Sequence, residues 1–379
     1  MKVLLIDTAL AAAPLYAFLT AAGHEVWTIG NRPNDLLAQK AGDHWIQEDY
    51  RSLEDVARHI RRLGIERVVP GCTDVSIDTC LRVNQNPDLA DSPETNLALT
   101  NKAAFRSHCA AQSIAAPRTV CPDDFPMRGK FVCKPVDAFS GRGITVFDGM
   151  DAHALKTAWT TAMAASPSAT VLIESFIEGA LHSCSAFIEK ERVVFAFYVR
   201  EGSSCNPFAV DTSYVVPDFP KEVAATLEQN LCALCRSLHL KDGLLHVQFI
   251  LCQGEPFMIE AARRCPGDLY SLLIEYSTGF AYAAKYASYF LGVPFVAKST
   301  MSRYVLRHTV SALTDIIFGG LQLHVPQPVR GFFPLQVAGQ GLTGQQGTRA
   351  GILFSDFPSY EEMRSAYNTF LARRAYDLS

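Results

Sequence analysis

The sequence predicts a mixed fold, a parallel α/β domain followed by a larger α+β region, and three observations carry that prediction. Residues 1 to about 96 alternate short apolar runs, KVLLID, EVWTIG and RVVPG, with helical stretches through Phe18 and Ile60. Repeated strand-helix-strand units give a parallel sheet covered on both faces. Two later stretches, ALHSCSAFIEKERVVFAFYV and HVQFILCQGEPFMIEAA, alternate with period two about a turn, the pattern of antiparallel hairpins. Between these regions Asn86 to Glu94, within NQNPDLADSPE, gathers Pro, Asp and Asn as a linker.

In the lead domain the first strand-helix turn, Asp7 to Pro14, carries no GxGxxG, which argues against a dinucleotide there. Pro70-Gly71-Cys72-Thr73-Asp74 follows the third strand, at the carboxyl end where α/β sheets bind ligands. Asp74 reads as the N-cap of the helix VSIDTCLRV. After the linker, TNKAAFRSHCAAQSI predicts a helix capped by Thr100.

GKFVCKPVDAFSGRGITVFD then reads as a strand ending at Lys134-Pro135, a loop from Asp137 to Gly143, and a second strand. Two glycines around an arginine let backbone N–H groups approach phosphate oxygens, and Lys134 adds a point charge on a rigid strand. In TVLIESFIEG, Glu174 and Glu178 bracket SFI; taken alone they read as surface carboxylates. Residues 200–217 form a long polar stretch, a length of loop that commonly serves as a lid. A helix from Lys221 to Leu238 leads into the second hairpin.

That hairpin is the chemically richest stretch. With Gln253-Gly254-Glu255 as the turn, Val247, Phe249 and Leu251 share an apolar face with Phe257, Ile259 and Ala261. The other face is His246, Gln248, Glu260 and Arg264, and a register symmetric about Gly254 sets Gln248 opposite Glu260. A carboxylate and an amide oxygen suit Mg²⁺, and a guanidinium fork suits phosphate or carboxylate. In isolation a solvated hairpin face is the competing reading. The last eighty residues hold short strands, many glycines and a final helix opening on Ser359 and Glu362 in capping-box spacing. Spacing assigns no role to Arg200, Arg307, Arg330 or Arg349.

Composition narrows the function classes. The chain has 379 residues, 34 basic against 38 acidic, for a formal charge of −4. With no basic run, nucleic acid is not an expected partner. No apolar run reaches the roughly 18 residues that span a bilayer, so no membrane role is expected, and the start reads as strand, loop and helix, not as a signal peptide. Eleven cysteines scattered through apolar segments fit buried thiols in a reducing cytoplasm. Cys232 and Cys235 form a CxxC inside a helix with no second pair downstream, and read as core packing.

The order of NK at a helix start, CKP before SGRG, ESFIEG as a hinge and a hairpin ending IEAARRCPGD resembles the ATP-grasp superfamily, and within it the carboxylate-amine ligases and biotin carboxylase-like enzymes. The resemblance covers nearly the whole chain. It implies a Rossmann-like preATP-grasp domain over 1–96, a small ATP-grasp lobe with hinge over 97–180, and a large lobe with C-terminal subdomain over 181–379. It also implies that Lys102 and Lys134 contact the ATP phosphates, with Lys134 and Arg264 catalytic, while Ser140, Gly141, Arg142 and Gly143 close over them. Glu174, Ser175, Phe176 and Ile177 form the adenine hinge, with Glu178 and His182 near the ribose. Glu260 matches the metal-binding carboxylate. Gln248 stands where an acidic ligand is usual, and Ala262 where many members carry Asn. The implied cofactors are ATP and Mg²⁺, with Mn²⁺ as an alternative, and the implied partners are a small carboxylate and an amine, in a cytoplasmic protein that could be a homodimer. A biotin carboxylase-like carboxylation and an ATP-binding protein without catalysis are the alternatives.

Overall fold

The computed structural model describes residues 1–84, 86, 88–138, 141–325, 328–344 and 347–379. The lead domain runs β1 (Lys2–Ile6), α1 (Ala13–Ala21), β2 (Glu25–Ile29), α2 (Leu36–Ala41), β3 (Trp45–Ile46), α3 (Leu53–Leu63), β4 (Arg67–Pro70) and α4 (Asp74–Val83). Its four strands pair in parallel in the order β3-β2-β1-β4. β1 is an almost continuous apolar run because helices cover both of its faces. The expected cap of α4 is corrected by one residue: the Thr73 side chain accepts the Ser76 N–H as N-cap, which leaves the Asp74 carboxylate available elsewhere.

Two helices follow the linker, α5 (Pro93–Thr100) and α6 (Lys102–Ala111). Asn101, not Thr100, caps α6, its side chain accepting from the N–H groups of Ala103 and Ala104. The small sheet comprises β5 (Lys130–Pro135), β6 (Thr145–Asp148) and β7 (Val171–Ser175), ordered β6-β5-β7, with α7 (Ala152–Ala165) packed on Phe131, Cys133 and Ile173.

An antiparallel sheet of eight strands forms the rest. Its strands are β8 (Ala180–Glu189), β9 (Arg192–Gly202), β10 (Thr212–Val215), β11 (Gly243–Cys252), β12 (Glu255–Ala262) and β13 (Tyr304–Ser311), with two more toward the C-terminus. Short pairs are made by β14 (Ile316–Ile317) with β17 (Gly341–Leu342), and by β15 (Leu321–Leu323) with β19 (Tyr376–Leu378). β16 (Val329–Pro334) and β18 (Arg349–Phe357) complete the large sheet, whose order is β12-β11-β8-β9-β10-β13-β18-β16. The remaining helices are α8 (Lys221–Ser237), α9 (Tyr270–Thr278), α10 (Tyr282–Leu291) and α11 (Tyr360–Leu371). No helix among the described residues is long and apolar enough to cross a membrane.

Period-two alternation divides the large sheet into two apolar faces. Cys184, Leu245, Val247, Phe249 and Met258 meet α8 on one face, together with Leu99, Phe105 and Cys109 of α5 and α6. Those two helices pack on the large sheet because their apolar residues face its strands. On the other face Phe187, Phe197 and Leu244 join α9, α10 and residues of the lead domain such as Val3, Leu5 and Leu15. Residues 200–217 contribute less loop than their polarity predicts: β9 extends to Gly202 and β10 begins at Thr212, leaving 203–211 between them.

Candidate active site

The β11–β12 hairpin forms as its alternation predicts, with one refinement. Gln253 and Gly254 both have positive φ, the requirement of a tight two-residue turn. That turn alone would pair the strands one residue out of the expected register. A bulge after Gln248 absorbs the difference, so Phe249 pairs with Met258 while Gln248 pairs with Glu260 and Val247 with Ala261. The apolar face of β12 is accordingly Met258 and Ala261, and not Phe257 and Ile259. The carbonyl of Ile259, displaced at the bulge, accepts a hydrogen bond from Arg106 Nη2 at 2.7 Å.

Arg106 leads to the densest charge cluster of the small lobe. Glu174 on β7 and Lys134 on β5 are diagonal neighbours on the face turned away from α7, with Lys134 Nζ 2.5 Å from Glu174 Oε2. Arg106 Nε lies 2.6 Å from Glu174 Oε1. All three are buried. The side chain of Glu174 is thus an internal counter-ion and not a surface carboxylate. Burial pulls the Lys134 ammonium down to about 8 despite Glu174, which pushes it up.

Lys102, in the first turn of α6, bridges the lobes. Its Nζ donates to the Ala138 carbonyl at 3.0 Å, at the root of the glycine loop, and lies 4.0 Å from Glu260 Oε2 on the edge strand β12. In that loop Gly141 and Gly143 adopt φ of 71° and 73°, and a Cβ on Gly141 would come within 2.7 Å of the Phe208 carbonyl oxygen. The glycine loop therefore lies against the 203–211 segment of the large lobe. Arg142 is exposed. Ser140 lies outside the described residues.

The hinge is the crossing from β7 to β8. Ser175 N–H donates to the Arg118 carbonyl and Phe176 N–H to the Lys130 carbonyl, which holds the chain flat as it leaves the small sheet. Phe176 and Glu178 are exposed and Ile177 is half-buried. His182 lies on the opposite face of the sheet from Gln248. It pairs with Phe249, one residue out of phase with Gln248, so its ring stacks on Phe249 against the α8 side and cannot line the face that carries Gln248 and Glu260. Burial holds its imidazole down at about 4.

On the Gln248 face the structure adds residues that the sequence did not single out. Gln248 Nε2 donates to Glu201 Oε2 at 2.7 Å; Glu201 is 4% exposed, and burial pushes its carboxyl up to about 7. Two strands further on, in β13, Arg307 Nε donates to Ser213 Oγ of β10 and its Nη1 to the Asp268 carbonyl, both at 2.9 Å. Arg349 Nη1 reaches Asp268 Oδ1 at 2.5 Å. Arg200 and Arg330 are structural, the first donating to the Leu181 carbonyl and the second paired with Asp356. Glu201 and Arg307 were hidden because their strands carry no local motif, and only the sheet order brings them to Gln248.

Arg264 is held by the lead domain. Its Nε and Nη2 donate to the two oxygens of Asp74 at 2.7 and 3.0 Å, a bidentate pair that draws the β4 edge onto the end of β12. Among the described residues no group of three or more His, Cys, Asp or Glu is gathered as a metal cage. The oxygen donors that do converge, the Glu260 carboxylate and the Gln248 amide, suit a hard cation that keeps waters and takes its other ligands from phosphate. The CxxC is not a site: Cys235 is buried in the α8 core, and burial pushes its thiol up to about 12.

Residues 127–271 match the ATP-grasp domain family. The carbamoyl phosphate synthase large chain of Deinococcus deserti is 22% identical over 64% of this chain, and the match spans only about a quarter of that relative's length (26%). Among solved structures, the L-amino acid ligase of Bacillus licheniformis superposes with a TM-score of 0.80 at 16% identity, covering 100% of this chain and 98% of that one. The biotin carboxylase domain of the Hydrogenobacter thermophilus 2-oxoglutarate carboxylase, solved with MgADP and bicarbonate, gives 0.75 at 12% identity, covering 100% and 90%. Residues 127–271 thus resemble the ATP-grasp domain family, and the fold around them is shared with these solved structures along the whole chain.

Proposed function

We propose that the protein is an ATP-dependent ligase that activates a small carboxylate as its acyl phosphate and joins it to an amine, an amino acid being the expected substrate class. The observation that carries the reading is Lys102, which touches the root of the glycine loop and the Glu260 carboxylate at once and so ties the phosphate-facing parts of both lobes to one point. Supporting it are the ADP-bound and ligase-type neighbours of the fold. In this reading Ser175 to Ile177 receive the adenine through backbone groups, Lys102 and Lys134 face the phosphates, and Gly141 to Gly143 cover them. Glu260 and the Gln248 amide oxygen would hold Mg²⁺, which when bound neutralises charge on the transferred phosphoryl group. Positioning and electrostatic stabilisation carry most of such a rate, so no nucleophilic Cys or Ser is needed. Arg264 enters with its guanidinium already oriented by Asp74.

The test is ADP release from ATP and Mg²⁺ against a panel of carboxylates and amines. Release is expected only when a matching carboxylate and amine are both present, and Glu260→Gln is expected to lower turnover by about 100-fold or more, roughly 2.7 kcal/mol of transition-state stabilisation. Bicarbonate-dependent release without an amine would replace this reading with carboxylation. Tight ATP binding with no turnover across the panel would replace it with nucleotide binding alone.

A further inference from the structure

Glu201 is a buried carboxyl, and a buried polar group is costly unless it is hydrogen-bonded. Its nearest cationic side chain on the same sheet face, Arg307, spends its Nε on Ser213 and its Nη1 on the Asp268 carbonyl. What Glu201 does contact is the amide of Gln248, at 2.7 Å. A carboxylate accepts only, so the amide must present its N–H₂ end to Glu201, which turns Oε1 away from it. The backbone beneath is held as well: Tyr367 OH donates to the Glu201 carbonyl at 2.9 Å, and at Gly202 a Cβ would stand 2.2 Å from that hydroxyl. Ser183, the cross-strand partner of Gln248 on β8, shares a hydrogen bond with the Tyr270 hydroxyl at 3.0 Å.

We propose that Glu201 is the positioning residue of the metal floor: from β9 it holds the Gln248 amide by its Nε2 end and so sets Oε1 toward Glu260. The inference rests on the reading that Glu260 and Gln248 hold Mg²⁺. An amide polarised by a carboxylate behind it is a stronger oxygen donor than a bare amide, as with metal-ligating groups whose outer partners tune them. Hairpin and strand together then present one amide oxygen, one carboxylate in contact and one carboxylate behind.

Mn²⁺ binding to the full chain in the presence of a non-hydrolysable ATP analogue, followed by electron paramagnetic resonance, tests this without turnover. Glu260→Gln should abolish tight Mn²⁺ binding, and Glu201→Gln should weaken it at least tenfold. Gln248→Glu alone sets two carboxylates in contact and should also weaken it. The reversed pair, Gln248→Glu with Glu201→Gln, keeps the hydrogen bond in the opposite sense and should return affinity to within threefold of wild type. That rescue is one that lost folding cannot imitate, and thermal melts check that each variant is folded. If Glu260→Gln abolishes binding while Glu201→Gln stays within twofold of wild type, or if the folded reversed pair fails to bind, the role of Glu201 is overturned and the floor stands. If wild type and Glu260→Gln bind Mn²⁺ alike, the floor reading itself falls.

Discussion

Glu174 and Glu178 look alike in the sequence, two acidic residues bracketing SFI, and the fold separates them completely. Glu178 is exposed at the crossing between lobes, whereas Glu174 is sealed between Lys134 and Arg106. Removing one partner of a buried ion cluster leaves the remaining charges uncompensated, typically about 3 to 5 kcal/mol. Glu174→Gln should therefore cost stability on that scale in urea unfolding, and Glu178→Gln should change it by no more than about 0.5 kcal/mol. Equal effects would remove the counter-ion role. Lys134 carries a second prediction. Its ammonium titrates near 8, so it is charged below that pH and loses charge as pH rises through it. ATP affinity by calorimetry should fall between pH 7 and 9, and Lys134→Arg, whose guanidinium stays charged, should flatten that fall. A flat wild-type profile would show that Lys134 does not face the phosphates.

At the level of elements, what could be read in advance was what depends on local chemistry. The Gln253-Gly254 turn, the pairing of Gln248 with Glu260 and the glycine loop after Lys134 all follow from period and turn residues. What could not be read depends on neighbours remote in sequence. The bulge that moves Met258 into the core, the face on which His182 lands, and Glu201 beside Gln248 are set by which strands the sheet places side by side. The glycine loop tests the local part. Ala at position 141 would meet both a left-handed φ, costing roughly 1–2 kcal/mol, and the Phe208 carbonyl. Gly141→Ala should hold the loop off the 203–211 segment and raise the KM for ATP several-fold, with thermal stability reduced only slightly. An unchanged KM would mean that the loop does not cover the nucleotide.

On the scale of the whole molecule, the lead domain and the large lobe share one apolar cluster, in which Val3 and Leu5 of β1 join Tyr270, Tyr282 and Phe187, and the Asp74–Arg264 pair closes the same boundary. These parts should therefore lose structure together, and pH is the probe that reaches both sheet faces. His182, His246 and His308 are all buried, and burial holds His182 at about 4, His246 at about 3 and His308 well below its ordinary value. Each is neutral when folded and takes up a proton near pH 6.5 when unfolded. Their stabilisation is present above pH 6.5 and is lost as pH falls toward the folded values. For His182 alone the drop from 6.5 to about 4 corresponds to roughly 3 kcal/mol once both values are passed. Glu201 acts in the opposite sense, since burial raises it to about 7 and the folded state then holds a proton that the unfolded state releases above about 4.5. Asp7 and Glu275 are raised by burial in the same way, while His24, His59 and His108 are lowered by partial burial. Between pH 7 and 4.5 three carboxyls therefore oppose six imidazoles, and the net slope is toward acid instability. The urea midpoint, followed by tryptophan fluorescence, should fall steadily from pH 7 to 4.5 as a single transition. His182→Phe, which keeps a ring against Phe249 but cannot take up a proton in the unfolded chain, should make the fall shallower. A midpoint unchanged over that range, or a slope that His182→Phe leaves untouched, would show that these imidazoles do not stay neutral inside the fold.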